Sequence, residues 1–125
     1  MIRTYELSHG AVLLGSVSAE GSSIVGEPLT LICSVTRVNN ATENIVIQWI
    51  GPDGTQLTSN GSVTVGVPIS FGATTTISVR FSALYTSNAG QYTCQGELVS
   101  SDLMYTVLAL QDIIARGRSI PRWEY

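Results

Sequence analysis

The sequence predicts an all-β domain, built as a sandwich or as a barrel. Turn-forming residues such as Gly, Pro and Asn recur roughly every ten positions, and short segments rich in β-branched residues lie between them. Apolar and polar residues alternate within several of these segments, and no segment keeps a helical period. The 125 residues are enough for one domain with a core of its own.

The first strand is expected at residues 11–19. A secretory signal peptide is the alternative, and the small residues at 16–19 would suit its cleavage site. However, the apolar part at residues 11–14 is shorter than a signal peptide requires, and Gly15 ends it. The segment is therefore interpreted as a strand.

Four later segments, at residues 29–35, 45–49, 76–81 and 91–97, show the period-two alternation of strands with one buried face. The side chains expected to face the core are Leu29, Leu31, Cys33, Val35, Ile45, Ile47, Trp49, Ile77, Val79, Phe81, Tyr92, Cys94 and Gly96. Both cysteines therefore fall on the apolar faces of separate strands.

Cys33 and Cys94 are the two cysteines of the chain and lie 61 positions apart. This spacing does not suit a zinc site, which needs clustered ligands. We expect one long-range disulfide, which implies an oxidising compartment. Two buried free thiols in a cytosolic protein are the alternative.

Two N-glycosylation sequons, beginning at Asn40 and Asn60, fall in segments expected to form turns. A surface turn can carry a glycan without burying it. Both asparagines are therefore candidate glycosylation sites, and they give modest support for secretion.

Cys33, Trp49, Leu84 and the stretch 88–94 together resemble an immunoglobulin-like domain over about residues 17–110. The resemblance implies a two-sheet sandwich with Greek-key topology, seven to nine strands and an inter-sheet Cys33–Cys94 disulfide. Trp49 would pack against that bridge, and the hydroxyl of Tyr92 would bond backbone a few residues upstream.

Members of this family often carry aspartate at the position of Asn88. The asparagine can still cap the turn through its side-chain carbonyl, but it cannot form an ion pair. The cysteine spacing falls between constant-like and variable-like domains, so the subtype, intermediate or variable-like, stays open.

The expected organisation is a lead-in at residues 1–15, the immunoglobulin-like domain at 16–111 and a flexible tail at 112–125. The ends suit a fragment of a longer multidomain chain. The tail holds half of the six arginines. A basic docking segment, or self-association through Trp123 and Tyr125, is the alternative to a solvated tail.

No catalytic constellation is apparent, and we expect no enzyme activity, cofactor or metal. His9 is the one histidine, so a Ser-His-Asp or Cys-His arrangement has no other base to use. Glu97 and Asp102 could hold calcium across a turn, but a solvated hairpin tip is the preferred interpretation. The net charge of -3 and the pI near 4.9 argue against nucleic acid. No apolar run is long enough to span a membrane.

The resemblance implies a protein-binding module of a cell-surface or secreted protein, with adhesion or receptor-type recognition of an identical or a different protein. The candidate binding face comprises Gln48, Gln91, Thr93, Gln95 and Glu97. The end loops at 38–44 and 99–102 are further candidates. A structural spacer without a ligand is one alternative. An intracellular immunoglobulin-like repeat of a cytoskeletal protein, with free thiols and unmodified asparagines, is another.

Overall fold

The computed structural model describes the backbone of residues 2–6, 13–38, 45–99 and 104–114, and the side chains of residues 13–38, 45–98, 113 and 114. Within these residues the chain forms nine strands and one short 3-10 helix, Thr86–Asn88. The strands are β1 (Ile2–Glu6), β2 (Leu13–Gly21), β3 (Leu29–Arg37), β4 (Ile45–Ile50), β5 (Val63–Val65), β6 (Ile69–Phe71), β7 (Thr74–Phe81), β8 (Gly90–Val99) and β9 (Met104–Ile113).

The strands form two antiparallel sheets that pack as a sandwich. One sheet has the order β1-β9-β8-β4, and the other has the order β2-β3-β7-β5, with β6 also paired to β7. The chain changes sheet between β1 and β2, between β3 and β4, between β4 and β5, and between β7 and β8, which is the connection pattern of a Greek-key sandwich. The predicted all-β, two-sheet architecture is confirmed, and the barrel alternative is wrong.

The core lies between the inner faces of the two sheets, as the period-two alternation predicts. The buried apolar side chains of the central strands are Leu29, Leu31, Cys33, Val35, Ile47, Trp49, Ile77, Val79, Phe81, Tyr92, Cys94 and Leu98. The alternate positions on β3 and β7 are only partly buried or exposed. Each of these strands therefore has one face in the core and one toward solvent.

The amino-terminal region differs from the expected lead-in at residues 1–15. β2 begins at Leu13, which is buried, and it pairs with β3 along its whole length. β1 pairs with β9 antiparallel, with Ile2 opposite Gln111 and Glu6 opposite Val107. Polar residues interrupt the apolar pattern of β1, and backbone pairing with β9 joins the strand to its sheet. Alternation alone does not reveal such a strand.

The carboxy-terminal strand runs further than the expected domain end at residue 111. β9 ends at Ile113, which lies opposite Gly90 and is 3% exposed. The polar residues 111 and 112 interrupt the apolar pattern, and the domain end is expected there for that reason. Ile113, however, is buried in the core. Residues 115–125, including Trp123 and Tyr125, lie outside the described residues.

β5 and β6 lie on the same side of β7 and are separated by a bulge at residues 66–68. Val65 lies opposite Val79 and Ile69 opposite Thr76, so three residues on one strand span two on the other. The Gly66 N–H donates to the Ser78 carbonyl at 2.8 Å. A Cβ on Gly66 would lie 2.9 Å from Ser78 Oγ, so this close approach favours glycine.

Candidate interaction face

The two sheets are joined at their centre by the Cys33–Cys94 disulfide, with an S–S length of 2.07 Å and a Cα–Cα distance of 6.3 Å. The bridge connects β3 of one sheet with β8 of the other, so the predicted inter-sheet disulfide is confirmed. Trp49 lies opposite Cys94 in the β4–β8 pair and is 1% exposed. Its indole Nε1–H donates to the Ile77 carbonyl of the opposite sheet at 3.3 Å, so the buried N–H has a partner.

The turn before β8 is held by Tyr92 and Asn88. The Tyr92 hydroxyl donates to the Asn88 carbonyl at 2.7 Å, and the Asn88 Oδ1 accepts from the Tyr85 N–H at 2.7 Å. The ring of Tyr92 packs edge-on against Phe81, with centroids 5.5 Å apart. Leu84 is fully buried, and its backbone bonds both Gly26 and Glu27. These contacts fix the direction in which β8 enters its sheet.

Burial raises the pKa of the Tyr92 phenol, and the negative charge of Asp53 adds to the effect. The Asp53 carboxylate accepts hydrogen bonds from the Thr55 N–H at 3.0 Å and the Thr55 hydroxyl at 2.8 Å. These bonds lower the pKa of Asp53, because they favour its charged form. Both residues line an open cavity of about 370 Å³ beside the turn at residues 51–57. Its lining is mostly polar.

The outward sides of β4 and β8 carry a row of hydrogen-bonded polar side chains. Gln48 Nε2 donates to Gln95 Oε1 at 3.2 Å, and Gln95 Nε2 donates to Glu97 Oε1 at 2.7 Å. Gln48 and Gln95 are directly opposite in the pairing of the two strands. The structure thus joins three of the five candidate binding residues into one chain of hydrogen bonds. These hydrogen bonds determine which way the side-chain amide of each glutamine points.

The other two candidates, Thr93 and Gln91, lie further along β8 on the same side of the strand. Thr93 is partly buried, and Gln91 is exposed. Val46 lies opposite Glu97 and is 60% exposed. Sequence reasoning did not include Val46, although its position two residues before Gln48 places it on the same side of β4.

We call this surface the β4–β8 face. Its members are Val46, Gln48, Gln91, Thr93, Gln95 and Glu97.

Residues 19–101 match the family model described as "Immunoglobulin domain". The chain belongs to the immunoglobulin domain family. No curated protein matches the chain. Immunoglobulin domains are in general non-enzymatic modules for protein–protein interaction, and this one contains the disulfide typical of extracellular or surface members.

Asn60 occupies an exposed turn of the immunoglobulin domain. Its Oδ1 accepts from the backbone N–H groups of Ser62 and Val63, each at 3.1 Å. These bonds use Oδ1, whereas a glycan is attached through Nδ2, so the turn and a glycan are chemically compatible. Asn40 lies outside the described residues.

Three other sequence expectations also fall outside the described part of the chain: the environment of His9, the pairing of Glu97 with Asp102, and most of the two end loops. Within the described residues, no group of three or more His, Cys, Asp or Glu side chains could hold a metal ion. The described part of the immunoglobulin domain also contains no helix that is both long and apolar enough to cross a bilayer.

Proposed function

We propose that this immunoglobulin domain is a protein-binding module of a cell-surface or secreted protein, with adhesion or receptor-type recognition. We further propose that its partner contacts the β4–β8 face. The observation that carries the second proposal is the hydrogen-bonded row from Gln48 through Gln95 to Glu97.

The row supports binding because its side chains are already ordered. Long polar side chains lose rotamer freedom when a partner immobilises them, at a cost of about 0.5–1.5 kcal/mol each. The bonds between Gln48, Gln95 and Glu97 reduce that cost before any partner arrives. They hold amide and carboxylate groups at fixed positions on a sheet surface.

Val46 supplies the apolar part of the same surface. Its exposed side chain lies beside Glu97, at the end of the polar row. The side chains that the structure describes on this surface are mostly polar, with Val46 and the partly buried Ile50 as the aliphatic ones. Such a patch favours a wet interface of modest affinity over an obligate hydrophobic one. Such an interface suits reversible recognition between surface proteins.

The Cys33–Cys94 bridge and the exposed turn at Asn60 support the proposed extracellular location. A disulfide of this kind persists in oxidising compartments and is rare in the cytosol. Asn60 and Asn40 are the proposed glycan sites.

The binding proposal can be tested with the full chain produced through a secretory pathway and displayed as a multimer. The multimer is applied to an array of cell-surface ectodomains, and the bound proteins are identified. We expect Val46→Arg to reduce binding about tenfold or more, because it places a cation at the apolar end of the face. Ser18→Arg is the matched control, since it adds the same charge to the outward side of the other sheet.

Loss of binding with Ser18→Arg but not with Val46→Arg would place the partner on the other sheet and overturn the assigned face. A wild-type multimer that binds no ectodomain on the array would favour the spacer interpretation instead.

A further inference from the structure

The second sheet has an outward surface that the proposed function does not use. Its strands lie in the order β2, β3, β7 and then the shared edge of β5 and β6. Strand pairing arranges its outward residues in rows across the sheet. The first row runs from Leu14 on β2 to Phe71 on β6, and the second runs from Ser16 to Ile69. The last row contains Glu20 on β2 and Arg80 on β7. We call this surface the β2–β6 face.

Apolar side chains stand at both edges of the first row and at the β6 edge of the second. Phe71 is 87% exposed, Ile69 is 69% exposed and Leu14 is 46% exposed. Between these edges the rows carry Ser and Thr hydroxyls that bond one another, as in the Thr36–Thr74 contact of 2.8 Å. Among the described residues, Glu20 and Arg80 are the charged members of the face, and both lie in its last row.

The bulge at residues 66–68 is the reason for this exposure. Val63 and Val65 face the core, and a regular strand would send Ile69 and Phe71 the same way. The extra residue shifts the register by one, so the exposed Ser70, rather than Ile69 or Phe71, lies opposite the buried Thr75 and bonds it, at 3.0 Å between their hydroxyl oxygens. Ile69 and Phe71 therefore point outward. Contiguous exposed apolar side chains of this kind mark an interaction surface.

We propose that the β2–β6 face binds a second copy of this chain, related by a twofold axis parallel to the strands. Such an axis keeps each row in place and reverses the order of the strands. Leu14 of one copy then meets Phe71 of the other, and Ser16 meets Ile69. Glu20 comes within one strand spacing of the other copy's Arg80. The apolar Leu14 and Phe71 thus oppose each other, and opposite charges lie close together, at both symmetric positions.

The alternative axis, perpendicular to the strands, does not give this match. It would keep the strand order and reverse the rows, so that Leu14 of one copy would lie against Glu20 of the other. Phe71 of one copy would then lie against Thr64 of the other copy, in the polar last row. The arrangement of charge and apolar area along the face therefore selects the axis parallel to the strands.

The size of the face predicts a weak dimer. Strands lie about 4.8 Å apart and alternate residues about 6.8 Å apart, so four strands and four rows cover about 500 Å². Two copies would bury about 1,000 Å², which is near the lower limit for a specific interface. We expect a dissociation constant between about 1 µM and 1 mM.

Sedimentation velocity of the oxidised full chain over a range of concentrations tests the proposal. The wild type should show a concentration-dependent increase in sedimentation coefficient. Phe71→Ser should raise the dimer dissociation constant about tenfold or more, because two Phe71 side chains lose their apolar contacts. Val46→Ser, which changes a matched exposed residue on the other sheet, should leave the dimer dissociation constant unchanged. Circular dichroism checks that the variants fold.

A charge exchange tests the symmetry itself. Glu20→Arg and Arg80→Glu should each weaken self-association several-fold, because each brings like charges together across the interface. An equal mixture of these two variants should form a mixed dimer, since both cross-interface pairs then become attractive. Glu97→Arg, with the same change of net charge as Glu20→Arg but on the other sheet, should leave the dimer dissociation constant at the wild-type value.

Three results would overturn the proposal. The wild type could stay monomeric up to about 1 mM, Val46→Ser rather than Phe71→Ser could abolish the dimer, or the mixture could associate no better than its components. If Phe71→Ser instead removed binding to an array ectodomain while the wild type stayed monomeric, the face would belong to a different partner.

Discussion

At the residue scale, Tyr92 stabilises the domain through both ends of its side chain. The ring packs against Phe81 in the core, and the hydroxyl donates to the Asn88 carbonyl four positions upstream. Asn88 in turn accepts from the Tyr85 N–H. The tyrosine two residues before Cys94 therefore closes the turn that leads into β8. Asparagine serves this turn where the family often has aspartate, because the backbone N–H needs only an acceptor oxygen.

Tyr92→Phe should lower the free energy of unfolding by about 1 kcal/mol at neutral pH, because the Asn88 carbonyl loses a donor while the ring stays packed. Urea unfolding of the oxidised chain measures the change. Stability equal to that of the wild type would mean that solvent replaces the hydroxyl at no cost.

The same pair of proteins should respond differently to alkaline pH. Burial raises the pKa of Tyr92 above that of an unfolded tyrosine, about 10. The folded state therefore disfavours the phenolate, and the stability that depends on the neutral phenol is present below pH 10 and falls as pH rises through the folded pKa. The advantage of the wild type over Tyr92→Phe should shrink above about pH 10. A constant difference up to about pH 11 would contradict this account.

Much of the residue-scale picture could be predicted from the sequence. Alternation placed Trp49, Tyr92 and both cysteines on core faces, because period two fixes the side of a strand on which a residue lies. The partner of the Trp49 indole could not be predicted in this way. Ile77 comes from the other sheet, and its carbonyl is in reach only once the two sheets have packed.

At the element scale, β8 and β3 pack closely where Gly96 meets Val35. A Cβ on Gly96 would lie 2.8 Å from Val35 Cγ2 and 2.9 Å from Cγ1. Both atoms belong to a buried, β-branched side chain with little freedom to move. The absence of a side chain at Gly96 therefore sets how closely the two sheets can pack at this point.

Gly96→Ala should destabilise the domain by about 1–3 kcal/mol through overpacking against Val35. Gly61→Ala is the matched control, because a Cβ there meets nothing within 4 Å, and it should change stability by less than about 0.5 kcal/mol. Thermal unfolding of both variants gives the comparison. Equal melting temperatures would show that Val35 moves aside without strain.

The bulge at residues 66–68 could not be predicted from the sequence pattern. Residues 63, 65, 67, 69 and 71 are all apolar, so period two alone would put every one of them inward. One extra residue in the pairing with β7 reverses the last two. Alternation cannot reveal this, because the bulge is a property of the register between two strands.

At the scale of the whole molecule, the disulfide links the centres of the two sheets. It closes a loop with a sequence separation of 61. In the chain-entropy description, this closure restricts the unfolded chain and stabilises the fold by about 4 kcal/mol. Such a contribution is comparable to the whole stability of a marginal domain.

Cys94→Ala, or strong reductant, should therefore destabilise the domain severely, with a large fall in melting temperature. Calorimetry in the presence and absence of reductant measures it. Reductant should not lower the melting temperature of the Cys33→Ala/Cys94→Ala double variant any further. An unchanged melting temperature of the reduced wild type would contradict the stabilising role of the bridge.

The limits of the domain were the least predictable feature of the whole molecule. The expected ends at residues 16 and 111 follow the apolar pattern, whereas the strands run from Leu13 in β2 to Ile113 in β9. β1 extends one sheet further by pairing with β9. Backbone hydrogen bonds carry no side-chain signature, so a strand added to an edge leaves no clear mark on the sequence.

The position of the bridge also decides how the domain would respond to a pulling force on its two ends. The load would pass from β3 directly to β8 through the covalent S–S bond. Residues 34–93 would then be shielded from tension, and about 200 Å of extended chain would stay out of reach. Only the outer segments could lengthen, so the bridge would roughly halve the length to which the chain could be drawn out under load.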